Sequence, residues 1–96
     1  MIDWVNFIQV GSTPYVAGPE AETVLQENEL GPVYRRVKFK LSGNICDPGY
    51  HPKDGDAAFL DPGTPIFQVS GRAPSQQLAA RFNGRILLYR AVPPAP

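Results

Sequence analysis

Ninety-six residues, 43% of them apolar and 19% charged, match a single globular domain: the chain is too short for two cores and too apolar for intrinsic disorder. Nine Lys and Arg balance nine Asp and Glu, so no overall field draws the chain towards nucleic acid or an anionic membrane. Eleven Pro and nine Gly exclude a helical bundle, and a single cysteine, Cys46, excludes an intramolecular disulfide.

The first residues carry no basic stretch ahead of an apolar segment, and no run approaches the roughly 18 apolar residues that span a bilayer, so the expectation is a soluble chain without a signal peptide. Residues 2–10 hold Trp4, Val5, Phe7, Ile8 and Val10 and predict a first strand, partly covered on both faces, that closes at Gly11-Ser12-Thr13-Pro14. A short extended piece follows at Tyr15-Val16-Ala17. Residues 20–30 offer only Val24, Leu25 and Leu30 as apolar contacts before Gly31-Pro32, so they read either as one short helix or as an acidic loop.

From Val33 to Leu41 the residues alternate. Val33, Val37, Phe39 and Leu41 share one face with Arg35, and Tyr34, Arg36, Lys38 and Lys40 share the other, which predicts a half-buried strand with a cationic side. Ser42 to Gly55 is rich in Gly, Pro, Asn and Asp without periodicity and reads as a long loop. Residues 56–60 and 64–70 then predict two short strands around the turn Asp61-Pro62-Gly63.

Asn83-Gly84 is the dipeptide favoured in a two-residue hairpin turn, and it fixes the pairing of residues 78–90. Phe82 should oppose Arg85, Ala80 oppose Leu87, and Leu78 oppose Tyr89, with Leu78, Ala80, Phe82, Leu87 and Tyr89 on the richer apolar face. Ala79, Ile86 and Leu88 partly cover the reverse. A hairpin apolar on both sides argues for a small barrel-like or folded-over antiparallel sheet of about six strands, a mainly β fold. Residues 1–90 form that single domain, and residues 91–96 a mobile Pro-rich tail.

Two constellations carry candidate chemistry. The row Tyr34, Arg36, Lys38 and Lys40 can meet phosphates or an acidic partner, or simply be a solvated face whose lysines deter edge pairing. The loop from Cys46 to Asp56 contains the only Cys, the only His and three acids. Cys46 and His51 supply two of the four ligands that zinc requires, and Asp54 and Asp56 do not follow the EF-hand order, whereas Asp-Pro-Gly and Asp-Gly are ordinary turn formers. Arg72 stands in an exposed turn, and Tyr50 is an aromatic beside turns, where binding anchors are common.

The segments Asp54-Gly-Asp-Ala-Ala-Phe-Leu, Gly63-Thr-Pro-Ile-Phe, and Leu78-Ala-Ala-Arg with Gly84-Arg-Ile-Leu-Leu-Tyr resemble small bacterial β domains of unknown function. The resemblance covers about the last two-fifths of the chain and implies a bacterial β domain, with no chemistry attached. Composition and pattern together lead to a non-catalytic protein-binding or regulatory module without a cofactor. Its partner-binding candidates are Tyr34, Arg36, Lys38, Lys40, Tyr50 and Arg72, with another protein as the expected partner. Two alternatives stay open: a metal site or Cys/His-dependent enzyme on Cys46, His51, Asp54 and Asp56, and nucleic-acid binding through the 34–40 strand face.

Overall fold

Asn83 and Gly84 both take positive φ, 52° and 76°, and reverse the chain within two residues. The strands they join, β8 (Gln77–Phe82) and β9 (Arg85–Ala91), pair with Phe82 opposite Arg85, Ala80 opposite Leu87 and Leu78 opposite Tyr89, the register that the turn dictates. The structure is a computed structural model that describes residues 4–18 and 22–93.

Around this hairpin a mainly β sheet curls into a half-barrel. Its other strands are β1 (Phe7–Val10), β2 (Thr13–Val16), β3 (Val24–Leu25), β4 (Leu30–Arg36), β5 (Phe39–Lys40), β6 (Asp56–Ala57) and β7 (Pro65–Val69). The order is β4-β7-β8-β9-β2-β1-β6-β5, with β3 also paired to β9, and every pairing is antiparallel except β5 with β6. The two outermost strands, β4 and β5, are consecutive in the chain, so Val37 and Lys38 connect one margin of the sheet to the other. Backbone bonds hold this crossing: Val37 donates to the Thr64 carbonyl at 3.0 Å and accepts from Gly63 at 2.7 Å, while Lys38 and Phe39 donate to the Gly55 carbonyl at 2.8 and 3.3 Å.

The nine strands among the described residues exceed the expected six because β3, β5 and β6 have two residues each, too few to display an alternation. The expected helix near residues 20–30 is replaced, within the described residues, by β3 and a single 3-10 turn at Glu27–Glu29. Pairing with β9 prevails there: Val24 lies opposite Leu87 and Leu25 opposite Ile86, and Gln26 is extended with no side-chain cap to start a helix. The single strand expected over residues 33–41 also breaks. Register shifts between Leu30 and Val33 and between Val33 and Arg35 leave Val33 44% exposed and turn Tyr34 onto the core. Phe39, expected inside, is 39% exposed, whereas Val37 and Leu41 are buried as read.

Both sides of the sheet are apolar, as the hairpin residues imply. Inside the curl, Ile8, Tyr15, Ile66, Leu78, Leu87 and Tyr89 form the main core, joined by Val37, Leu60 and the half-buried Tyr34 and Phe82. Alternate residues of the same strands face outwards. There Val69, Ala79, Ile86 and Leu88 are roofed by Leu25 and Leu30, which stand on either side of the 3-10 turn, and are flanked by Phe67. Farther along the outer face, Phe7, Leu41 and Ala58 pack with Trp4, Ile45, Tyr50 and Phe59. Order also extends past residue 90: Ala91 pairs with Tyr15, and Val92 donates to the Pro14 carbonyl at 2.9 Å. The remainder of the expected tail, residues 94–96, lies outside the described residues.

Candidate functional site

The 42–55 loop is anchored by its own polar groups. Asp47 Oδ1 accepts from the Gly49 N–H at 2.9 Å, and Asp56, buried, accepts from the Tyr50 hydroxyl at 2.7 Å and the Lys53 N–H at 2.8 Å. Donating to a carboxylate holds the Tyr50 phenol above its ordinary range, with burial adding to the effect. Asp54 reaches away from the loop, accepting from the Gly11 N–H at 2.8 Å and pairing with Lys38 Nζ at 3.2 Å. The Gly11 bond first and Lys38 second hold its carboxyl below the usual range. Cys46 and His51 are both exposed. Among the described residues no three of His, Cys, Asp and Glu gather as a metal ion requires, so Cys46, His51, Asp54 and Asp56 are not brought together.

The cationic row expected on residues 34–40 is dispersed by the register shifts in β4. Tyr34 faces the core, Lys38 pairs with Asp54, and Lys40 pairs with Asp61 at 3.1 Å. Arg36 donates to the Gly63 carbonyl at 3.1 Å. Arg35, expected on the opposite face, lies with its guanidinium carbon 4.5 Å from the Tyr34 ring centre. Each of these exposed contacts contributes little stability, but together they turn much of the charge onto neighbouring loops.

The outer face of β1 and β2 presents a different surface. Phe7 lies opposite Val16 and Gln9 opposite Pro14, so these four share a face. With Val5, Ser12, His51 and Pro52 they line an open recess of about 490 Å³. A second recess of about 380 Å³ adjoins it, sharing Val5 and Val16 and continuing to Gly18, Ala91, Val92 and Pro93. Val5 is 53% exposed and Val92 43% exposed. Among the described residues only Arg90 brings formal charge to either lining. Sequence reading missed this groove because Pro14 and Val16 look like turn and strand residues. The available signal was Thr13-Pro14-Tyr15-Val16, which has too little polar surface to solvate either face.

Arg90 also borders a recess of the opposite character. Opposite Val16 on one side and Gln77 on the other, it extends the outer-face row that contains Leu88. With Thr23, Leu25, Glu29, Val69, Ser70, Arg72 and Gln77, these residues line a recess of about 380 Å³ between β3 and the end of β7. Arg72, the turn residue singled out from sequence, stands at this recess because Gly71 takes φ of 76° and the Arg72 N–H closes the turn onto the Val69 carbonyl at 3.0 Å.

Comparison with protein-family models, with curated proteins and with solved structures found no match for this chain.

Proposed function

We propose that the protein is a non-catalytic binding module that holds an extended, uncharged apolar segment of another protein in the groove along β1, β2 and the end of β9. The observation that carries this reading is the continuity of the apolar outer face. Phe7 is covered by the 42–55 loop, yet Val5, Pro14, Val16, Val92 and Pro93 continue the same surface into solvent. Burying exposed aliphatic side chains is favourable by about 25 cal/mol per Å², and the near absence of charge along the groove favours an uncharged occupant. Pro14 and Pro93 add rigid surface that loses little entropy when it is covered.

Selection of displayed random decapeptides against the folded protein tests the reading. Apolar, uncharged sequences are expected, with amide shifts mapping to Val5, Val16 and Val92, and Val5→Glu with Val92→Glu should abolish binding while leaving the thermal midpoint in place. Peptides that map to the 34–40 strand, or that bind the double variant equally well, would overturn it.

A further inference from the structure

We infer that the recess bearing Arg72 and Arg90 is a binding site for a singly charged carboxylate carrying a short apolar arm. The recess shares Arg90 with the apolar groove but no other lining residue, and its argument does not rest on that groove having a partner. Among the described residues, two guanidiniums and one carboxylate, Glu29, line the recess, which leaves one net positive charge there to be met. Arg81 and Arg85 are committed to Glu27 and Glu22, whereas neither Arg72 nor Arg90 has a carboxylate partner among the described residues. Arg90 reaches only the Thr23 hydroxyl, at 3.4 Å. The planar fork of a guanidinium matches the two oxygens of a carboxylate.

The rest of the lining suits the rest of such a ligand. Leu25, Val69 and Leu88 supply apolar surface from the outer cluster, and Thr23, Ser70 and Gln77 supply neutral hydrogen-bonding groups. The walls are fixed before any ligand arrives: the Leu88 N–H donates to the Thr23 carbonyl at 2.9 Å, and the Ser70 N–H donates to the Glu29 carbonyl at 2.8 Å. Ordering cost therefore falls on side chains rather than on the backbone of the walls. A volume of about 380 Å³ lies at the small end of ligand sites and admits an acid of a few carbons. A dianion such as phosphate would be left undercompensated beside Glu29.

Titration of hexanoate into the isotopically labelled protein, followed by amide and guanidinium signals, tests the assignment. Saturable shifts are expected at Thr23, Ser70, Arg72 and Leu88, with hexanamide and inorganic phosphate each binding about tenfold more weakly. Arg72→Gln and Arg90→Gln should each weaken hexanoate by about tenfold, roughly the loss of one charge-assisted contact. Arg72 lies in an exposed turn, so its variant keeps the test intact if the β9 variant fails to fold. Equal binding of hexanamide, equal binding of phosphate, or unchanged affinity in Arg72→Gln would each overturn the proposal. A Val5→Ser, Val92→Ser protein, which sets no new charge beside Arg90, is expected to bind hexanoate normally, and loss of binding there would move the acid to the groove and overturn the assignment.

Discussion

Gly55 passes directly against the Lys38 side chain: a Cβ built on Gly55 would stand 2.5 Å from Lys38 Cδ and 2.9 Å from its Cβ. Gly55 also has φ of 91°, and its carbonyl accepts the bonds that hold the β4–β5 crossing. Gly55→Ala meets both a backbone penalty and a clash that the root of the Lys38 side chain cannot avoid. A loss of about 1–3 kcal/mol is expected, read as a drop in thermal midpoint of several degrees. Lys38→Gly in the same background removes the clash but not the strain, and should recover part of the loss.

Acid should loosen the link between the β1–β2 turn and the long loop. Because the Asp54 carboxyl is held below its usual range in the folded protein, its contribution is present above the unfolded value near pH ~3.9 and is lost as pH falls through the folded value. Asp54 is half-exposed, so the effect is small. Urea unfolding across a pH series should show wild type more stable than Asp54→Asn near neutrality, with the gap closing in acid. A gap that is independent of pH would contradict this assignment.

Alkali should act on the core instead. Tyr89 is fully buried, and burial pushes its phenol well above the ordinary range; its hydroxyl donates to Asn6 Oδ1 at 3.1 Å. A raised folded value means that stability is intact below the unfolded value near pH ~10 and declines as pH rises beyond it. Tyr89→Phe should cost about 1 kcal/mol at neutral pH and flatten the alkaline decline seen by denaturant titration.

Legibility followed the range of the forces involved. The β8–β9 register was readable because Asn83-Gly84 sets it within two residues, and the two apolar faces followed from that register. The long loop and the turn at Asp61-Pro62-Gly63 were equally local, and the Thr64 N–H closes that turn on the Asp61 carbonyl at 3.1 Å. Residues 24–29 were not readable, because Val24 and Leu25 are extended only through pairing with β9, about sixty residues away. The alternation from Val33 to Leu41 misled because a bulge is set by the partner strand and leaves no mark in composition. Arg72 was singled out as an exposed turn residue, but its neighbour Arg90 lay hidden as an ordinary strand residue until three strands and a turn converged on it.

The crossing at Val37 and Lys38 governs how the molecule comes apart. Ordinary open sheets unzip from a free margin, one strand at a time, but here the first and last strands are a single covalent run, so neither can peel away without pulling on the other. Peeling either margin strand alone therefore gains little freedom, which favours concerted unfolding of the two margins.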